Sequence, residues 1–543
     1  MHRREAITAV LGLTAVETTG ASEATRGKAD SPASNPRAAG LTPQEHAAGI
    51  GFVNPIFLPG DVRRYGAEGH GRSDDSAAWS AAILTGHRVL GGGAECVYLL
   101  RTRVPIGRSA VIDLQSATVK PIGHTQAFVR DTPSPTAIGA VTGGAEQGSR
   151  TVRLKSSTGF TVGQWVRLSL NDYPRHDASS YPPAWARIVA VRSDAIDVDT
   201  PLQLTYPGGQ LRALAYDPGV LYPRFECRNG IFDGSECTFE LDTGQGLRIS
   251  GFERVLVHGC EFRNFANDGK LTCPVEIFAV VDADVSECRF TGGVSRFDTC
   301  DIQEARFAHF VNNTMDGSHF GCNLTRVDYG LVANNSLHGQ RSREAAESPD
   351  PLRSVRGIKA YGCAAIRVLG NHIGDFESPI KVEACFRYDV SHNVIFNAGL
   401  SPFTGQIALN VGSIIAGTNM RGGRIVGNHV EHCGGIGIGV TSDPPGGVVI
   451  AANIVRATQA AGMHISVAHA TITGNRIEDW GLRDRGDPAI WFGASSTVAD
   501  NRFSNAALRD APCLVRQHRD DPQQVLRDNV SETGNPLLAS TLG

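Results

Sequence analysis

Short runs in which apolar and polar positions alternate, without helical period, recur through the second half of the chain. The best-matched pair is Ile358-Lys359-Ala360-Tyr361-Gly362-Cys363 and Ile380-Lys381-Val382-Glu383-Ala384-Cys385, offset by 22 residues. A period of two makes each run a strand whose Ile, Ala and Val point inward while Lys359 and Lys381 point outward. Between such runs lie the fragments VNNTM, VANNSL, VLGNHI, VSHNVI, IVGNHV, IAANIV, ITGNRI and VADNRF, which carry Asn313, Asn335, Asn371, Asn393, Asn428, Asn453, Asn475 and Asn501. Successive asparagines are 22, 36, 22, 35, 25, 22 and 26 residues apart, a period of 22 to 26 with two long insertions. A repeat this short, rich in Val, Ile and Gly, predicts one coil of a parallel β-helix, whose small apolar face is buried only by stacking on its neighbours. An asparagine set in each turn would stack on those above and below, with amide hydrogen bonds running along the axis.

With 543 residues the chain is long enough for a large core, which a solenoid extends without separate globular domains. Its 62 Gly, 27 Pro and 7% aromatic residues suit many short strands and tight turns. A formal net charge of -4 leaves no basic footprint for nucleic acid, and no apolar run approaches the ~20 residues of a membrane span. Twelve cysteines mostly fall on repeat positions. Cys260 and Cys288 occupy the later asparagine slot, while Cys300 and Cys322, like Cys363 and Cys385, are 22 apart and should stack inside the coil as small hydrophobes. No cysteine spacing resembles a zinc site.

The first residues carry Arg3-Arg4 and then a short apolar stretch, which resembles a twin-arginine export signal and implies an exported, periplasmic or secreted protein. The alternative is a cytoplasmic tail. Residues 20–45, rich in Ala, Ser, Gly and Pro, read as a flexible linker. Residues 61–83, DVRRYGAEGHGRSDDSAAWSAAI, predict a strand, a Gly-rich turn and a short helix capped by Asp74, Asp75 or Ser76, placed to cover the open first coil. This segment resembles the opening of the pectate lyase superfamily, in the branch grouped with rhamnogalacturonases and epimerases. Members often begin D-V-x-x-Y-G-A-x-G-D-G-x-x-D-D-T; here His70 replaces the second Asp and Ser76 the Thr. The resemblance covers most of 61–505 and implies an all-β, right-handed parallel β-helix with an N-terminal capping helix. The predicted divisions are 1–45, a signal-like segment and linker; 46–144, cap and first coils; 145–215, a small inserted β subdomain; 216–505, the β-helix repeats; and 506–543, a C-terminal cap or tail.

Counting back 12 residues from each ladder position gives an outward column of Arg248, Glu276, Asp301 and Asn323, which continues to Lys359 and Lys381. The next outward column holds Phe278, Gln303, Thr325, Tyr361 and Glu383; beyond Asn393, pattern alignment adds Asn410, His464 and Trp491 nearby. Two of the chain's six lysines thus share one face, and the insertions 338–354 and 396–423 flank them as walls of a cleft. The plain alternative is a solvated face whose charges pair across coils.

Family resemblance and charge together imply an acidic polysaccharide as partner, and two reactions compete. In β-elimination, Lys359 or Lys381 would remove the C5 proton, the other lysine and Asn323 would hold the uronate carboxylate, and Tyr361 would protonate the leaving oxygen. Asp301 and Glu276 would alternatively bind a calcium ion, as in pectate lyases. Hydrolysis would instead draw an acid and a second carboxylate from Glu276, Asp301 and Glu383, with Arg248 also at the binding face. Elimination is the leading expectation. A third reading is a non-catalytic polysaccharide-binding protein of the tailspike kind, which would form a homotrimer.

Overall fold

The computed structural model describes residues 40–541 except 124, 171–180, 208, 239–243, 266–272, 292–297, 319, 340–355, 400–411, 417–421, 441–446, 484–486, 494, 507–514, 518–524 and 533–538. The twin-arginine-like segment and most of the two insertions lie outside the described residues. Among these residues three parallel sheets of 14, 15 and 14 strands wrap one continuous core, a β-solenoid of about 14 turns. One coil shows the plan. Phe320–Thr325 lies in the third sheet, Tyr329–Ala333 in the first and Ser336–Gly339 in the second, and the chain then re-enters the third sheet at Arg356–Tyr361. Sharp bends separate the strands. The residue after each third-sheet strand adopts positive φ at Ala279, Glu304, Arg326, Gly362 and Ala384, as does the residue before each rung, such as Asn312, Asn334 and His392.

The asparagine ladder forms as its spacing predicts. Asn393 Nδ2 donates to Asn428 Oδ1 at 2.9 Å and to the Val368 carbonyl at 2.9 Å. Its own Oδ1 accepts the backbone N–H of Asn371 at 3.0 Å and the Asn371 side-chain amide at 2.9 Å. The same four-bond pattern repeats from Asn335 to Asn501, and every amide points to the next coil. Cys288 stands in the slot below, where its N–H donates to Asn313 Oδ1 at 2.8 Å. Eleven cysteines are free and buried among the described residues. Beside the ladder the rings of Phe232, Phe262 and Phe290 stack at 4.9 and 5.2 Å, so the core repeats coil by coil as the turns do.

The coils run on past Asn501. Asn529 adds a rung at 3.0 Å, and Val525–Arg527, Val530–Ser531 and Ala539–Thr541 pair in register with the coils before them. At the other end, a helix at Ser76–Thr85 covers the first coils, with Asp75 at its N-cap position and Asp74 accepting the N–H of Ser76. Its Trp79 is fully buried, 5.3 Å from both Tyr98 and Phe128. A shorter helix, Pro43–Ala48, delivers Glu45 to Arg64 in an ion pair with both side chains sealed from solvent.

The inserted unit is a closed six-stranded antiparallel barrel running from Ala137–Gly143 to Arg212–Tyr216. It docks on the bends that follow the third sheet. Arg167 of the barrel and Arg326 of the solenoid hold the Glu304 carboxylate between them, all three essentially inaccessible. Trp185 donates to the Glu304 carbonyl at 2.9 Å and stacks on Tyr216. Phe386 and Ala364 of the solenoid complete the barrel's apolar core.

Candidate active face

Every residue of the predicted strip lies on the third sheet. The register pairs Arg248 with Glu276, Glu276 with Asp301, Asp301 with Asn323, Asn323 with Lys359 and Lys359 with Lys381. The adjoining column runs Phe278, Gln303, Thr325, Tyr361, Glu383. Neighbouring strands of a sheet lie about 4.8 Å apart, so each column is a close-set row of side chains. Farther along, Lys381 is followed in register by Ile415, Gly439, His464 and Trp491. The pattern-aligned Asn410 lies outside the described residues. Because the barrel docks on Glu304 and Arg326, each one residue past the second column, it stands as a wall along that edge of the face.

Within the strip the groups are tightly engaged. Asp301 is 1% exposed, and its oxygens accept the amide N–H groups of Asn323 at 3.0 Å and Gln303 at 2.5 Å. Thr325 Oγ1 donates in turn to Asn323 Oδ1 at 3.3 Å. Arg248 Nε is 3.5 Å from Glu276 and its guanidinium stacks over Phe278 at 5.6 Å. Lys381 Nζ is 2.8 Å from Glu383, and Lys359 Nζ lies 5.6 Å from the Tyr361 ring centre.

A residue that the column count passed over joins this group. Asp298, the first residue of the strand Asp298–Gln303, is partly exposed, interacts with Asn323 and faces the charges of Lys359 and Arg356. Burial pushes its carboxyl above the ordinary range, and those three neighbours pull it back. Burial and then the charge of Asp298 push Asp301 well above that range, beyond what Gln303 and Lys359 offset. The two carboxyls titrate as linked groups, because ionising Asp298 makes ionising Asp301 harder. The sequence did carry a signal, the Asp298-Thr299-Cys300-Asp301 spacing, but a period of two excludes the i, i+3 position from the outward column.

No family model matches the chain, and no curated protein matches it. Among solved structures it is similar to the tailspike protein gp49 from Pseudomonas phage LKA1, at 10% identity over 87% of this chain and 81% of that one, with a TM-score of 0.43. It is also similar to the A-module of mannuronan C-5 epimerase AlgE4 from Azotobacter vinelandii, at 10% identity over 89% of this chain and 100% of that one, TM-score 0.34. A third is the DFA-IIIase of Arthrobacter chlorophenolicus A6, at 14% identity over 87% and 83%, TM-score 0.27. Coiled solenoids host many chemistries, so the reaction has to be read from the face itself.

Calcium is a poor match to that face. A calcium ion takes six to eight oxygen ligands, whereas both Asp301 oxygens already accept amide N–H groups and Glu276 faces a guanidinium. Among the described residues no group of three or more His, Cys, Asp or Glu is arranged to hold a metal. What the face does offer is two carboxyls that burial pushes above the ordinary range, Asp298 and Asp301, a third acidic side chain, Glu276, one coil away, and the cations Arg356, Lys359 and Lys381 on the following coils.

Proposed function

We propose that this protein is a carbohydrate-active enzyme that hydrolyses glycosidic bonds of an anionic polysaccharide lying along the third sheet, with Asp298 and Asp301 supplying the proton. The observation that carries this reading is the meeting of two aspartates, two side-chain amides and Lys359 at one half-buried spot of an otherwise regular sheet face. Asp298, the less buried member, protonates the glycosidic oxygen as its bond to the sugar carbon breaks. Water adds to that carbon and gives its proton to the Glu276 carboxylate, and solvent restores the proton of the aspartate pair. Arg356, Lys359 and Lys381 attract the acidic groups of the polymer.

β-Elimination is the second reading. It is favoured by Lys359 standing next to Asn323 in register and near Tyr361, as a base beside a carboxylate holder and a proton donor. Hydrolysis takes precedence because each lysine faces a carboxylate, Lys381 that of Glu383 and Lys359 those of Asp298 and Asp301. A tailspike-like role, binding polysaccharide as a trimer, is compatible with the same face.

The test is incubation with a panel of uronate polysaccharides, following reducing ends and ultraviolet absorbance together. Reducing ends without absorbance, lost in Asp298→Asn and Asp301→Asn, support hydrolysis. Rising absorbance that Lys359→Ala abolishes would replace it with elimination, and silence in both channels with binding alone. Export completes the proposal; deletion of residues 1–30 should keep the protein in the cytoplasm, and wild-type protein found there would contradict it.

A further inference from the structure

The third-sheet columns do not stop at the lysines. Five strand steps beyond Lys359, through Lys381, Ile415, Gly439 and His464, the same column reaches Trp491. At one strand spacing per step this is about 24 Å from Lys359, and two further steps toward Asp301 make about 34 Å from the acid pair. His464 and Trp491 are both partly exposed, with ring centres 6.3 Å apart and planes tilted by 32°. Their flanking residues Met463, Ile465, Ile490 and Phe492 are sealed in the core, which fixes the strands that present the two rings. Gly439, preceding them in the column, places no side chain in front of the imidazole. Two rings set side by side at outward strand positions present flat faces of the kind that stack on a sugar ring.

Resting on the polysaccharide reading above, we infer that His464 and Trp491 form a distal subsite that stacks on the C–H face of a sugar ring belonging to the same anionic polymer. The axial repeat of the sheet and the length of one sugar unit are of the same order, so the subsite lies roughly seven units from the acid pair. The occupant is a chain whose acidic groups meet Arg356, Lys359 and Lys381 while a ring farther along meets the aromatic pair. A short oligosaccharide cannot engage both ends. The subsite therefore selects long chains and interior cleavage, because a chain bound at both places presents an internal bond to Asp298.

The test uses the full chain in native gels cast with polygalacturonate, alginate or hyaluronan, comparing wild type with Trp491→Ala, Trp491→Phe and His464→Ala. Wild type should be retarded in at least one gel, and Trp491→Ala should weaken that retardation about tenfold in apparent Kd, the loss of one good aromatic contact. Trp491→Phe should recover part of it, and circular dichroism shows whether each variant is folded. If Trp491→Ala does not fold, Trp491→Phe and His464→Ala are read in its place. Equal retardation of wild type and folded variants, or no retardation of wild type in any gel, overturns the subsite. Retardation that depends on Trp491, in a protein that cleaves none of the polymers, upholds the subsite and sinks hydrolysis. Cleavage with retardation indifferent to Trp491 does the reverse.

Discussion

Asp328 offers a stability test of the barrel junction. The residue is buried where the solenoid meets the barrel, its backbone N–H held by the Ala305 carbonyl at 3.0 Å and its own carbonyl accepting the N–H of Ala365 at 2.9 Å. One carboxyl oxygen is buried without a hydrogen-bond partner. Burial pushes the acid up from 3.8 to about 7, although Arg306 and Arg387 pull the other way. A carboxyl whose folded pKa is raised binds its proton more tightly in the folded state, so the folded state loses stability as pH rises from the unfolded pKa through the folded one. Between pH 5 and 8 about two pH units of that rise fall in the sensitive range, and at 1.36 kcal/mol per unit the loss is about 3 kcal/mol. Asp328→Asn cannot ionise and should escape it. Denaturant unfolding of both proteins at pH 5, 6, 7 and 8, with hydrogen exchange over 137–216 to localise the change, measures the difference directly. Other titrating groups cancel in the comparison, and the variant should gain about 3 kcal/mol on wild type across that interval. A gap that does not change with pH refutes the reasoning. Such a constant gap would mean that Asp328 is already ionised at pH 5, paired with Arg306 or Arg387.

Asn393→Ala strips the acceptor from two Asn371 donors and the donor from Val368; it should cost about 3 kcal/mol or more, read as faster hydrogen exchange in the coils around 366–396. Glu304→Gln leaves Arg167 and Arg326 buried without their carboxylate and should loosen the barrel by about 3–5 kcal/mol, seen as proteolysis within 137–216 before the solenoid is cut. Gln303→Leu and Lys359→Met each remove a group that favours ionised Asp301, so any hydrolytic activity that survives should persist to higher pH than in wild type. A basic limb that stays put or moves to lower pH would count against the acid pair.

The solenoid is legible in the sequence because its period is marked by a side chain that hydrogen-bonds to the coils on both sides. An asparagine satisfies both the coil above and the coil below, so Asn313 to Asn501 recur at fixed distance from the strands they follow. That fixed distance is what makes a count of 12 residues land on Arg248, Glu276, Asp301 and Asn323 in one row. Asn529 belongs to the same series, in VLRDNV, although it lies within the stretch expected to be a tail. Beyond Asn393 the turns differ in length, and the register sets Ile415 beside Lys381. Asp298 escaped because it opens its strand three residues before Asp301, at a position that the alternation counted from Asp301 passes over. The barrel's anchorage is visible only in hindsight. Glu304 and Arg326 occupy a left-handed bend position that other coils fill with Ala279, Gly362 or Ala384, and a charged residue there has to be held by something outside the repeat.

The ladder also has a direction. Each rung offers its backbone N–H and one of its two side-chain amide hydrogens forward, to an oxygen that arrives 22 to 36 residues later in the chain. A newly made coil therefore has unsatisfied donors until its successor is laid down, and the successor is what finishes it. Growth from the N-terminal end is thus self-completing, each turn sealing the one before it as the chain is made. Removal from the C-terminal end does the opposite, exposing the donors of the coil beneath at every step. Loss of structure should travel inward from Asn529 toward the cap, and truncations from that end should shorten the protein one coil at a time.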